Sequence, residues 1–212
     1  MSSDDAALDA LAALGDPVRR GLYRHVAAAQ GDVTRDAAAD AVGVTRAVAA
    51  FHLDKLVDAG LLEAGFRRLS GRTGPGAGRP SKLYRRAAGE HAVSVPPRSY
   101  DTVGQLLAEV VERAGLDNEL QAAARAAGEA ASTADPVEAL RERGYEPYWG
   151  CGKLRLRNCP FHALAEQFPA LVCGMNLAGI EGLLPEGWKA VMEPLPEGCC
   201  VAVEGPEGTA DF

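Results

Sequence analysis

Residues 34–60 read TRDAAADAVGVTRAVAAFHLDKLVDAG, and two threonines and two glycines divide the stretch. Thr34 stands where an N-cap belongs, ahead of a short helix through about Val42. Gly43 permits a tight turn, and Thr45 caps a longer helix that Gly60 stops. In that longer helix Leu53, Leu56 and Val57 fall at the spacing of one inward face. Two helices joined by a glycine turn read as a helix-turn-helix. Upstream, DPVRRGLYRHVAAAQG opens on an Asp16 cap with Pro17 at the first helical position, and Val18, Leu22 and Val26 repeat at every fourth residue until Gly31. Downstream, Leu61 to Leu69 and Lys82 to Arg86 have the texture of two pairing strands. The segment RLSGRTGPGAGRPSK that joins them is too rich in Gly and Pro for regular structure. A hairpin with a long irregular loop beside a helix-turn-helix reads as a wing.

Charge supports a nucleic-acid role for this half. The chain of 212 residues carries a formal charge of −7. Residues 16–91, however, hold 13 Lys and Arg against 8 Asp and Glu, a balance of +5, while residues 92–212 stand at −9. A basic reader is attached to an acidic body. In a helix-turn-helix the N-terminal half of the second helix enters the major groove, which positions Thr45, Arg46, Ala50 and Phe51 toward base edges, with Arg46 the candidate guanine reader. His52 sits near phosphate or half-buried, and Lys55 reads as a phosphate contact or a solvated lysine. The wing adds Arg67, Arg68, Arg72, Arg79 and Lys82, within a run from Ala64 to Gly89 that has seven basic residues and no acidic one. Its Gly-Arg-Pro tip suits a minor groove.

The second half is marked by cysteines: Cys159 in NCPFHALAEQFP, Cys173 in ALVCGMNLAGIEGLL, and Cys199 and Cys200 in EGCCVAVEG. Pro160 after Cys159 is expected at the first position of a short helix. The thiol would then feel the positive end of the helix dipole, which favours thiolate, the form that binds metal. His162 follows on the same face. Cys173 lies one turn into a helix from Pro169 to Leu184, in line with Leu177, Ile180 and Leu184. On another face Gly174, Ala178 and Gly182 recur every four residues, a ridge that invites close approach of a second helix or a cofactor. The run CCVAVE alternates like a strand, which predicts that Cys199 and Cys200 point to opposite faces. No CxxC pair occurs, so a zinc knuckle is not indicated. A single buried cysteine is ordinarily a core residue, and the convergence of several is what would set these apart.

Taken together, NCPFHALA, LVCGMN and GCCV resemble the C-terminal half of the SufR-like iron–sulfur repressors, winged-helix regulators of iron–sulfur cluster assembly genes. GDPVRRGLYRHV, AFHLDKLVDAGLLE and GRPSKLYRR, over about Leu14 to Arg86, resemble the winged-helix repressors of ArsR/DeoR type. The resemblance implies a repressor that binds double-stranded operator DNA as a homodimer, at an inverted repeat. It further implies an iron–sulfur cluster, of the [4Fe-4S] kind, held by Cys159, Cys173 and either Cys199 or Cys200. The fourth ligand is left open among His162, Cys151, the second member of the pair and an acidic side chain.

The expected fold is α+β in three parts: a winged helix-turn-helix over 1–91, a helical linker and dimerisation region over 92–143, and a small α+β sensor domain over 144–212. In the middle part Tyr100, Val103, Leu107 and Val110 form an apolar stripe that Leu106 and Val111 widen, suited to burial between subunits or against the chain's own C-terminal domain. Two further helices and a four-stranded sheet complete the chain. Arg155 and Arg157, alternating in LRLRN, are expected to share an outer face, where they balance the acidic domain or face a negatively charged cluster. An enzyme is not indicated: there is no Ser-His-Asp pattern, no phosphate-cradling glycine loop and no paired catalytic carboxylates. The absence of a signal peptide or an apolar run of membrane-spanning length, with an odd number of cysteines, places the expected location in a reducing cytoplasm.

Overall fold

Side chains that cap helices set the elements of the first half. The computed structural model describes residues 3–68, 80–195 and 198–206. Contacts divide the chain into two units, residues 1–98 and 99–212.

The first unit runs α1 (Ser3–Ala13), α2 (Pro17–Ala28), β1 (Val33–Thr34), α3 (Arg35–Val42), α4 (Arg46–Asp58), β2 (Leu62–Arg67) and β3 (Ser81–Arg86). Asp16 Oδ1 accepts from the Arg19 N–H at 2.8 Å, Thr34 Oγ1 from Ala37 at 3.1 Å and Thr45 Oγ1 from Val48 at 3.3 Å. Each cap satisfies a backbone donor that the first turn leaves without a partner. α2, α3 and α4 enclose a core of Leu22, Val26, Ala38, Ala49, Leu53 and Leu56, closed by Leu62 and Tyr84 from the sheet. β3 is the central strand, antiparallel to β1 through Val33↔Tyr84 and to β2 from Leu62↔Arg86 to Arg67↔Ser81. This is a winged helix-turn-helix, with α3 and α4 as the motif and β2–β3 as the wing.

The second unit runs α5 (Tyr100–Ala114), α6 (Asp117–Ala130), α7 (Pro136–Glu142), β4 (Pro147–Gly150), β5 (Lys153–Leu156), α8 (His162–Ala165), α9 (Pro169–Leu183), β6 (Lys189–Met192) and β7 (Val201–Glu204). The helices expected as a linker and dimerisation region thus fall in the same unit as the cysteines. An antiparallel sheet in the order β4-β5-β7-β6 packs Leu154, Leu156, Val201 and Val203 with Tyr145, Leu140, Ile180 and Leu183. The architecture is α+β.

α9 lies against α6, and its glycine ridge receives that helix. A Cβ on Gly182 would stand 2.2 Å from the Arg125 carbonyl oxygen, and one on Gly128 would stand 2.2 Å from that of Gly179. Backbone meets backbone, so neither helix tolerates a side chain there. The two openings read from the sequence, a helix or a cofactor, resolve at Gly182 in favour of a helix.

α5 leaves its apolar stripe uncovered. Tyr100, Val103, Leu106, Leu107 and Val110 are each more than half exposed, and only Ala108 of this helix is buried. Among the described residues no helix is long and apolar enough to cross a membrane.

Candidate functional site

Within the first unit the exposed face of α4 belongs to its N-terminal half. Thr45, Arg46, Ala47 and Val48 are exposed, and so is Phe51 at 60%. The Thr45 hydroxyl is engaged as the cap, and Arg46 reaches Asp36 at 2.9 Å while largely in solvent. Ala50 is half-buried. His52 turns away from this face: its side chain is 15% exposed and its Nδ1 stands 4.0 Å from the Asp16 carboxylate. Helix geometry explains the divergence, since consecutive residues are rotated by about 100° and Phe51 and His52 cannot share one face. Lys55 is exposed beside Asp58. The outward face also includes Ala47 and Val48, which the sequence reading passed over.

On the wing, Arg67 is exposed and stands 3.4 Å from Asp32, and Arg68 is exposed. Arg72 and Arg79 lie outside the described residues. Lys82 is drawn inward, with its side chain 21% exposed and its ammonium 2.7 Å from Asp54. Asp54 also accepts the Tyr84 hydroxyl at 2.6 Å and is approached by Arg35, whose Nε donates to that hydroxyl at 2.8 Å. Burial works against the Asp54 carboxylate, yet Lys82 and Tyr84 together hold its pKa below the usual range. Burial, reinforced by the bond to Asp54, pushes the Tyr84 phenol up to about 12. Lys82 therefore ties the wing to α4, a structural task that its place in a basic run did not reveal.

In the second unit Cys159, Cys173, Cys199 and Cys200 line one cavity of about 40 Å³, together with His162 and Asn176. Three segments bring them there: the loop after β5, the second turn of α9, and the approach to β7. The cysteine pair departs from the strand expectation. β7 begins only at Val201, and Gly198 ahead of the pair adopts φ 99°, where an added Cβ would meet the Leu156 carbonyl oxygen at 2.8 Å. The Cys199 N–H then donates to that same oxygen at 2.9 Å and the Cys200 oxygen accepts from Glu193 at 2.7 Å. Both thiols nevertheless line the cavity, Cys199 buried and Cys200 half-buried.

The short helix after Cys159 also starts later than expected. Pro160 and Phe161 form a turn and α8 begins at His162, whose N–H donates to the Cys159 oxygen at 3.1 Å. The thiol pKa of Cys159 is lowered, first by a hydrogen bond shared with Cys199 and also by the Phe161 N–H, against burial. Cys199 is raised by the same shared proton and by burial. The two thiols are coupled, and Cys159 is the one that gives up its proton more readily. Cys173 is pushed up to about 11, mainly by burial and then by Cys200.

Asn176 was not anticipated. It is 4% exposed, and its Nδ2 donates to Cys199 Sγ at 3.2 Å while its Oδ1 accepts the Tyr145 hydroxyl at 2.5 Å. It also borders a wider crevice of about 240 Å³ between α6 and α9, lined by Ala124, Met175 and Ile180 with Arg143 among its few polar groups. His162 is exposed at the margin of the cysteine cavity, 3.4 Å from Glu166. Cys151 is exposed in the β4–β5 turn and does not line the cavity. Arg155 is ion-paired with Glu193, and Arg157 lies over the Tyr148 ring at 4.5 Å. Arg155 is buried beside its acid partner and not on an outer face, and the ring contact of Arg157 is with a neutral side chain. As they stand, no three His, Cys, Asp or Glu side chains among the described residues are grouped to hold one metal ion. The chemistry of the donor set, four thiols around one cavity, suits soft metals and iron–sulfur clusters.

Comparison with known proteins covers part of the chain. Residues 14–64 match the family model of a helix-turn-helix domain. Among solved structures the chain is similar to the solution structure of a homodimeric winged helix-turn-helix DNA-binding domain (fragment 1–100) from Mycobacterium bovis, described as a possible ArsR-family transcriptional regulator. Identity is 25%, over 52% of this chain and 80% of that one, with a TM-score of 0.30. A search among curated proteins finds no match.

Proposed function

We propose that the chain is a DNA-binding transcription regulator, acting as a homodimeric repressor, whose hold on its operator depends on an iron–sulfur cluster bound in the second unit. The observation that carries this reading is the convergence of Cys159, Cys173, Cys199 and Cys200 from three separate segments on one cavity. The winged helix-turn-helix, with Arg46, Val48 and Phe51 outward on α4, supplies the reader. When bound, the cluster would supply a set of iron–thiolate bonds that oxidation can break.

The chain's own residues say how that would matter. Cys159 leads into α8, and α8 packs on α5, the helix whose apolar stripe is uncovered. Tying Cys159 to Cys173 and to Cys199 or Cys200 would fix α8, and through it the presentation of α5 to a second copy. Two recognition helices must sit about 34 Å apart to read half-sites one turn of DNA apart. A population shift of two orders of magnitude between fitting and non-fitting dimers needs only about 2.7 kcal/mol. The target genes implied by the family resemblance, those for cluster assembly, belong to the same proposal.

The test is iron and sulfide analysis of protein purified without oxygen, with operator binding measured before and after oxidation. A brown protein that loses operator affinity as its colour bleaches supports the reading. A colourless protein carrying zinc, or affinity unchanged by bleaching, overturns it. The crevice of about 240 Å³ favours a second reading, a regulator that responds to a small ligand while its cysteines are packing residues. Cys159→Ser with Cys173→Ser, leaving DNA binding unchanged under every redox condition, selects that second reading.

A further inference from the structure

Two polar side chains behind Cys199 have no part in the core that apolar residues could not fill. Asn176, three residues after Cys173 on α9, and Tyr145, before β4, are both at least 95% buried. A buried primary amide is costly unless its donors and acceptor are engaged, and here they are engaged in one direction. The Tyr145 hydroxyl donates to Oδ1 at 2.5 Å, which leaves the amide nitrogen, and not its oxygen, to face Cys199 Sγ at 3.2 Å. Tyr145 thus decides which end of Asn176 the sulfur meets. An N–H aimed at a sulfur stabilises negative charge on it.

We infer that Asn176, oriented by Tyr145, is a positioning residue that makes Cys199 the sulfur ligand of the adjacent pair and raises the reduction potential of the cluster held there. This rests on the reading that the cysteines hold a cluster. Added electron density on a reduced cluster spreads onto its thiolate sulfurs, so a donor to one sulfur favours the reduced form, and hydrogen bonds of this kind are a recognised control of potential. Among the described hydrogen bonds the amide reaches Cys199 and not Cys200, one residue on.

The experiment uses the full chain reconstituted without oxygen and follows cluster reduction by its visible and electron paramagnetic resonance spectra. Asn176→Leu is expected to shift the one-electron equilibrium about tenfold toward the oxidised form, a potential about 59 mV lower. Tyr145→Phe, which keeps the ring's packing, is expected to move it the same way by less, because the freed amide samples both orientations. Tyr145→Phe also keeps the test decisive if Asn176→Leu fails to fold. Cys199→Ser is expected to lose iron where Cys200→Ser retains it. A purely structural role would lower the melting temperature or iron content and leave the potential of the loaded fraction unmoved, and that result overturns the inference alone. A wild-type chain that takes up no iron or sulfide overturns the parent reading, and this inference with it.

Discussion

Gly174→Ala and Gly182→Ala make the same chemical change on the same helix and are expected to have opposite effects. In a helix interior, alanine gains roughly 1 kcal/mol over glycine. At Gly174 the new methyl would meet Gln121 Nε2 at 2.8 Å, the far end of a flexible side chain that can rotate away. Most of the propensity gain survives, leaving the unit about 0.5–1 kcal/mol more stable. At Gly182 the new methyl would meet the Arg125 oxygen at 2.2 Å and its carbonyl carbon and the Glu129 nitrogen at 3.0 Å, all backbone. The helices must move apart, and overpacking of this sort costs about 1–3 kcal/mol or more. Because contact under 3.0 Å is essentially never tolerated, the upper end applies and the net loss is about 2 kcal/mol. In a unit of this size that lowers the melting temperature by about 8 °C, against a rise of about 2–4 °C for Gly174→Ala. Fluorescence isolates the relevant unit, since both tryptophans of the chain, Trp149 and Trp188, pack on the core of the second unit. Gly128→Ala added to Gly182→Ala should cost less than the sum, since both act on one separation. If Gly182→Ala melts at or above the wild-type temperature, the backbone contact between α6 and α9 is not there, and the ridge is free for a different occupant.

Leu107→Asp on the uncovered face of α5 removes an apolar side chain worth about 1.5–3 kcal/mol on burial and inserts a charge, so a dimer through this face should weaken about 50-fold or more; sedimentation showing wild-type association refutes it. Phe51→Ala should lower operator affinity by about 1–2 kcal/mol if its ring meets thymine methyls, while the melting temperature stays put because the ring is already 60% exposed; equal affinity in a binding titration counts against α4 as the reader. Asp54 gives a pH dependence. Its folded pKa is depressed, so the stability it contributes is present above the unfolded value near 3.9 and is lost as pH falls through the lower folded value. Asp54→Asn should therefore lose stability at neutral pH and flatten the acid limb of the first unit's unfolding profile below about pH 4; parallel profiles for the two proteins would show that the Lys82–Tyr84–Arg35 contacts do not hold the carboxylate.

What could be read from the sequence was whatever carried its own local signal. Asp16, Thr34 and Thr45 mark their helices because a cap is a property of one residue and the three that follow. The wing declared itself through Gly, Pro and unmixed charge. α1 went unread, since Ala7 and Ala10 are too small to make an apolar stripe visible though both are buried. The pairing of Lys82 with Asp54 was not legible, because the two lie 28 residues apart and only folding brings them together. Alternation in CCVAVE allowed the site only one of the cysteine pair, yet both line the cavity and β7 begins only at Val201. Asn176 was hidden inside LVCGMNLAGI, where one amide among apolar residues looks like a helix's outer face until Tyr145 and Cys199 arrive from other segments.

α9 shows why the site and the scaffold are hard to separate. Its inward residues serve three neighbours at once: Ile180 and Leu183 the sheet-side core, Gly182 the backbone of α6, and Cys173 and Asn176 the sulfur cavity. With no side left for solvent over most of its length, it has the all-round apolar sequence of a buried helix. Anchored by backbone contact at its C-terminal half, it is poorly placed to move. Cys159 differs: it stands in a loop, ahead of a four-residue helix, and its thiol pKa is lowered. Under the proposed function the response to a change at the sulfurs therefore begins at the Cys159 loop. From there it passes through α8 to α5, while α9, Asn176 and Cys199 hold the opposite wall of the cavity in place.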